Sequence, residues 1–418
     1  MYSPHLRLPV TRREFLKWGG RGLGLLAFSR FVPEFLVNSA LAAAPAPEKG
    51  RSILVLVQLA GGNDGLNTVV PFEDAAYYRL RPTLGIAKTG VLPINATLGF
   101  NPACAPMHAL LKEGRLGIIQ NVGYPNPNHS HFRSTEIWET ASGANENLAS
   151  GWVGRYLDNA CAGVPAGAGD DPVAVHATGE MPQSFMAADS HPTFGLGAGP
   201  GGRQQRRDNS ALLRQLASHA GDHENASASF LKATLMDALV TEQKVQAILG
   251  NYRPGATYPN SQFAQSLHNV AALIAAGLST RVYFVSLGGF DNHSNQLNQH
   301  NNNLATLAAG LAAFQKDLEA KQLDSQVLTM TFSEFGRRPS ENQSRGTDHG
   351  TAAPLFVMGT KLKGTLFGTA PVLANLPKNQ DLTYSTDFRQ IYANVLDKWL
   401  ESPAQKILGQ TYKPLGFV

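Results

Sequence analysis

Six short apolar runs constrain this chain more than any other feature: Ile53–Leu59, Leu116–Ile119, Pro172–His176, Val282–Leu287, Val327–Phe332 and Leu355–Met358. Each is brief and apolar at consecutive positions, the pattern of a strand covered on both faces. Helical periodicity lies around and between them, at Met107–Lys112, Ser130–Thr140, Ser229–Leu249, Phe263–Ala276 and Leu304–Leu318. Strands alternating with helices predict an α/β fold, a mostly parallel, doubly wound sheet with helices on both faces.

In such a sheet the side chains that meet a ligand sit beyond the carboxyl ends of the strands. The polar clusters of this sequence fall there. Gly61-Gly62-Asn63-Asp64-Gly65 follows the first run, Ser130 the second, Asp291 and His293 follow Leu287, and Glu334 follows Phe332. On extended backbone the two-residue spacing of Asp291 and His293 points both side chains the same way. Asp348 and His349 occupy a glycine-flanked loop leading into the last run. Carboxylates and imidazoles at strand ends, with a nucleophile such as Ser130, are what metal-dependent phosphoryl or sulfuryl transfer needs. Each residue has a structural use too. Asp64 would cap the helix after Gly65, Ser130 would cap the helix it begins, and Glu334 would pair with Arg337 or Arg338 at the surface.

The chain begins with a different signal. Thr11-Arg12-Arg13-Glu14-Phe15-Leu16-Lys17 has the arrangement of a twin-arginine export leader, with Arg12 and Arg13 as the pair read by the translocase. The apolar stretch Trp18–Leu41 is interrupted by Arg21 and Arg30, which argues against a stable membrane anchor. Ala40-Leu41-Ala42 fits a cleavage site, so residues 1–42 read as leader, 43–50 as linker and 51–418 as the folded part, with an insertion at about 160–250. The net charge of the chain is +4, and the leader alone accounts for it: six Arg or Lys against Glu14 and Glu34. The folded part is therefore near neutral, which argues against nucleic acid as partner.

Cys104 and Cys161 are the only cysteines, too few for a disulfide framework, and both are expected as free thiols. Ala162–Asp170 and Gly195–Gly202 read as surface segments. The second is followed by Arg203, Arg206 and Arg207, which would attract an anionic polymer or simply be solvated. Neither follows a strand and opens a helix as a nucleotide loop must.

Five strings carry a family resemblance: Gly61-Gly62-Asn63-Asp64-Gly65-Leu66-Asn67-Thr68, Ser130-His131-Phe132, Gly289-Phe290-Asp291-Asn292-His293, Ser333-Glu334-Phe335-Gly336-Arg337 and Thr347-Asp348-His349-Gly350-Thr351. Together they resemble the exported family catalogued as domain of unknown function 1501, which is grouped by fold with alkaline phosphatases and sulfatases. The resemblance implies an alkaline-phosphatase-like core. It makes Asp64 a metal-binding acid, Ser130 a nucleophile at a helix start, Asp291 and His293 the acid and imidazole of one metal site, and His349 that site's late histidine. Where that superfamily commonly has an Asp-His pair, this chain has Ser333-Glu334. Cys104-Ala105-Pro106-Met107-His108 lacks the arginine of a formylglycine motif, so Cys104 reads as a core residue at a helix start.

The expectation is a periplasmic or secreted metal-dependent hydrolase acting on a small or polymeric anionic ester of phosphate or sulfate. Ser130 attacks; Asp291, His293 and His349 hold one divalent ion; Asp64 and Glu334 hold or position a second; Asp348 is a further ligand or orients His349. His131 and Asn63 are expected to support these ligands. Mixed carboxylate and imidazole donors suit Zn or Mn, with Mg or Ca as alternatives. The contrasting expectation is a non-catalytic exported protein of the same fold, serving in surface assembly or polymer binding, which the absent imidazole beside Glu334 favours.

Overall fold

The computed structural model describes residues 51–162, 171–189, 191–197, 241–377 and 381–418. The leader with Arg12 and Arg13, the linker, Arg203, Arg206, Arg207 and most of the expected insertion lie outside the described residues.

Strand β1 (Ile53–Leu59) lies inside a nine-stranded sheet. The other strands are β2 (Leu116–Gly123), β3 (Ala174–Ala177), β4 (Thr193–Gly195), β5 (Val282–Leu287), β6 (Val327–Phe332), β7 (Ala353–Met358), β8 (Leu366–Phe367) and β9 (Thr386–Asp387). Their order is β8-β2-β7-β6-β1-β5-β3-β4, with β9 also pairing β2. Every pairing is parallel except those of β7, which runs against both β6 and β2. The sheet is thus mostly parallel, as the alternation of apolar runs and helices predicts.

Alternation along β1 explains why its sequence is apolar throughout. Ile53, Val55, Val57 and Leu59 enter one core; Leu54 and Leu56 enter the other. The first core packs beneath helices α1 (Ala105–Lys112), α4 (Gln262–Ala275) and α5 (Gln296–Ala320). The second packs beneath α2 (His131–Thr140), α3 (Trp152–Ala160) and α6 (Phe388–Asn394). Cys104, fully buried, begins α1 as a core residue, and neither thiol is bonded to the other.

Two elements depart from the sequence reading. Strand β2 runs past Ile119 because its polar end finds partners: the Gln120 amide donates to Gly368 O at 3.4 Å and that of Asn121 to Thr383 O at 2.8 Å. Helix α5 starts eight residues before Leu304, because Gln296 and His300 in its first turns face buried polar groups instead of the apolar core. Of the helix expected at Ser229–Leu249, residues 241–251 are described and helical. Among the described residues no helix is long and apolar enough to cross a membrane.

Candidate metal centre

Strand β1 ends in Gly61-Gly62, with φ of +116° and +81°. A Cβ on Gly61 would lie 2.4 Å from the backbone nitrogen of Asp291, and one on Gly62 2.5 Å from the Phe335 ring. Only glycine lets the turn after β1 approach the loops after β5 and β6 this closely. Arg337, 2% exposed, fastens the three loops together. Its guanidinium donates to Gly62 O at 2.9 Å, Phe290 O at 3.1 Å, Thr347 O at 2.8 Å and Asp291 Oδ1 at 2.7 Å, and also to Gly61 O. A backbone bridge between Arg337 and His349 brings in the 348–349 loop. Helix α2 is held to the same edge by Ser134, whose hydroxyl donates to Glu334 O.

Three imidazoles meet at Asp291. His293 Nε2 is 3.0 Å and His349 Nε2 3.2 Å from Asp291 Oδ1; His131 Nε2 is 3.4 Å from Oδ2. His293 Nε2 and His349 Nε2 are 2.9 Å apart. One ring or carboxylate atom from each of His131, Asp291 and His349 lies within 4.8 Å of the others. The opposite nitrogen of each ring is anchored: His131 Nδ1 to Glu334 Oε1 at 2.9 Å, His349 Nδ1 to His129 O at 2.7 Å, and His293 Nδ1 to Asp348 Oδ1 at 3.4 Å.

These anchors settle how the rings face. A carbonyl oxygen only accepts, so His349 donates from Nδ1, and in the neutral ring Nε2 is left with its lone pair. That lone pair points at a carboxylate oxygen and a second ring nitrogen. Desolvation lowers the pKa of His349, outweighing the bonds to His129 and Asp291 that raise it. A cation between these atoms would turn mutual repulsion into shared coordination, and the donor set of three imidazoles and a carboxylate suits such an ion. The carboxylate or carbonyl behind each imidazole is the usual support of a metal-binding histidine.

Asp291 and Asp348 are held below the usual carboxylate range. Burial pulls the pKa of Asp291 upward, but Arg337 and the neighbouring histidines overcome it and bring it down to about 2. Asp348 is lowered chiefly by the amide of Asn342, 3.2 Å away. His131 is raised, first by its bond to Glu334 and against desolvation. Glu334 is fixed in turn by Gly61 N, which donates to Oε1 at 2.8 Å.

The structure brings together Asp291, His293, Glu334, Asp348 and His349, five of the residues singled out in the sequence. It also reassigns several. Glu334, expected to hold or position a second ion, stands behind His131, and Asp348, expected as a further ligand or to orient His349, stands behind His293. His131, expected to support a ligand, presents its own Nε2. Asp64 lies deeper: it is 2% exposed, accepts from Arg81 Nη1 at 2.6 Å and from Gln296, and caps the short helix Gly65–Thr68 through Asn67 N at 3.4 Å. Desolvation would raise its pKa, yet the Arg81 charge and hydrogen bonds carry it below the usual carboxylate range. Its carboxylate is taken up by these partners, Arg81, Gln296 and Asn67. Asn63 sits in this buried layer, its Oδ1 3.1 Å from His300 Nε2.

Ser130 is exposed at the N-cap of α2, next to His131, and its hydroxyl makes no capping bond. Its backbone nitrogen donates to Asn128 Oδ1 at 2.8 Å. Sequence reasoning passed over His129, Arg81 and His300. For His129 the signal was available, since it directly precedes Ser130 and His131; for Arg81, just past a short helix, and His300, within α5, no local pattern marks a buried polar residue.

Fold and centre together define an α/β protein with a three-histidine, one-carboxylate candidate cation site at the carboxyl edge of its sheet. The chain belongs to the family described as "Protein of unknown function (DUF1501)", whose model matches residues 51–402. No curated protein matches it. Among solved structures it is similar to the PsFucS1 sulfatase from Pseudoalteromonas sp. (11% identity, TM-score 0.38, 92% of this chain and 77% of that one). It is also similar to the C-terminal periplasmic domain of EcEptC from Escherichia coli in complex with Zn (9%, 0.33, 76% and 75%). A third is the alkaline phosphatase from the Antarctic bacterium TAB5 (10%, 0.31, 74% and 92%). Likeness this distant carries no functional argument.

Proposed function

We propose that this protein is an exported, metal-dependent hydrolase of phosphate or sulfate esters. The observation that carries the reading is the convergence of three anchored imidazoles on Asp291, each with its second nitrogen turned inward. His131, Asp291, His293 and His349 would hold one divalent ion, with Glu334, His129 O and Asp348 orienting the rings. Such an ion would polarise the ester and offset the charge that develops on its oxygens. Ser130 would attack phosphorus or sulfur in line, the bond to the alcohol would break, and water would then release the Ser130 ester. Its place at the start of α2 puts it where the unpaired backbone N–H groups of a helix favour an incoming anion. The leader containing Arg12 and Arg13 supports export to the periplasm or beyond through the twin-arginine translocase.

The second reading, a non-catalytic exported binding protein, draws on one observation: among the described residues no hydrogen bond joins the Ser130 hydroxyl to a base. Metal analysis of the purified protein, then turnover of aryl phosphates and sulfates with Zn, Mn, Mg or Ca, separates the two. The hydrolase is expected to bind an ion and to lose turnover in Ser130→Ala. If wild type and Ser130→Ala show the same negligible turnover with metal bound, the binding reading takes its place.

A further inference from the structure

A cavity of about 570 Å³, within the size range of small-molecule sites, is lined in part by Leu287 and Gly288, the latter three residues before Asp291 of the metal centre. It is reached along one face of α2, where His131, Thr135 and Glu139 are spaced i, i+4, i+8; His131 belongs to the centre and the other two line the cavity. A four-residue step rises about 6 Å, so the two regions adjoin. The ends of β1 and β5 contribute Gln58 and Ser286, whose hydroxyl donates to Gln58 Oε1 at 3.1 Å. Helix α4 supplies Gln262 and Ser266, one turn apart.

The chemistry of this lining is selective. Among the described residues its lining has no Lys, Arg or His, and the charged residues there are Glu139 and Glu180. An anion would find no counter-charge and two carboxylates. Glu139 is largely committed: burial raises its pKa, and it accepts Ser184 N at 2.9 Å. A wholly apolar ligand would strand the amides and hydroxyls of Gln58, Thr135, Gln262, Ser266 and Ser286 without partners. Amides and hydroxyls both donate and accept, which matches a neutral ligand dense in hydroxyl groups.

We propose that this cavity binds a neutral sugar unit, the alcohol part of the ester whose anionic group sits at the metal centre. The assignment of the ester group rests on the hydrolase reading, whereas the preference of the cavity is tested by binding alone. Titration calorimetry and saturation-transfer NMR on the whole metal-loaded protein, with lactose and cellobiose as probes, should give saturable binding. Ser266→Trp, which fills the cavity, and Gln262→Leu, an exposed position whose change spares the fold, should each weaken it about tenfold or more. Ser130→Ala should leave it unchanged, so that loss of turnover and loss of sugar binding remain separate results. No saturable binding, or binding that neither cavity variant alters, overturns the proposal. So does a cavity that takes choline in place of either sugar, because the two glutamates would then define a cation site.

Discussion

Two aspartates of this protein should respond in opposite ways to the same change. In Asp64→Asn, the buried ion pair with Arg81 is lost: the guanidinium side chain is 0% exposed and its partner 2%. Removing one member of a buried pair costs about 3–5 kcal/mol, because the other is left uncompensated. Arg81 keeps three further acceptors, Asn67 Oδ1 at 2.7 Å, Pro339 O at 2.7 Å and Arg338 O at 3.0 Å, which places the loss at the lower end. For a domain of this length the unfolding entropy is about 0.8 kcal/mol/K, so about 3 kcal/mol lowers Tm by about 4 °C. Metal content should not change, since Asp64 touches none of the converging imidazoles.

Asp291→Asn should show the reverse. Its carboxylate is 47% exposed, so the bond to Arg337 is worth at most about 1 kcal/mol in the metal-free protein. What disappears is the ion: at a free concentration of about a hundred times Kd, metal stabilises the fold by about 2.7 kcal/mol, or 3–4 °C, and the variant should lack that increment. Differential scanning calorimetry with and without Zn, alongside metal analysis of both variants, measures each quantity. If Asp64→Asn strips the metal while its metal-free Tm stays level, Asp64 is a ligand and the assignment made from Arg81 is refuted.

Replacing Glu334 by Gln should weaken metal binding about 10–100-fold, through loss of the charge that orients His131; chelator competition reading unchanged affinity would exclude that role. Gly61→Ala should cost at least about 2 kcal/mol and most of the metal affinity, because the new methyl would press on the backbone of Asp291; a variant with wild-type urea midpoint and metal content would show that the turn relaxes freely. Acid should destabilise the fold through His176 and His300, buried rings whose pKa desolvation lowers from 6.5 to about 4. The unfolded chain binds more protons between those values, so their contribution is complete above pH 6.5 and is lost as pH falls toward 4, up to about 3 kcal/mol for each. Urea titrations in that window should show a smaller loss in His300→Asn than in wild type; identical pH slopes would remove His300 from the account.

The strands most legible in the sequence, Ile53–Leu59, Val282–Leu287 and Val327–Phe332, were those with both faces covered, where burial writes a continuous apolar run and loops end it sharply. The reversal of β7 was less legible. Its signal is an absence, since no helical pattern separates Phe332 from Ala353 and a parallel return needs such a crossover. Placing Asp291 and His293 at one rim followed from strand ends; joining His349, which precedes β7, to them followed from the family resemblance. Telling a ligand from its support did not, because an acid beside a metal and an acid beside an arginine have the same one-letter code. Asp64 is satisfied by Arg81, seventeen residues on, and Gln296, far along the chain; only the folded distances distinguish its use from that of Asp291.

The balance of charge at the rim joins these observations. Asp291, Glu334 and Asp348 bring three carboxylates to one cluster, and Arg337 is the guanidinium bonded to it there. With the imidazoles neutral this leaves two negative charges, which a divalent cation cancels. The Arg81–Asp64 pair beneath is already neutral and has no such need. Arg337 also holds the carbonyls of Gly61, Gly62, Phe290 and Thr347, so the group that moderates the charge is the one that fixes the loops carrying it. Geometry and electrostatics at this edge therefore share one cause: the contacts that close the fold around β1 are the ones that gather the carboxylates at the rim.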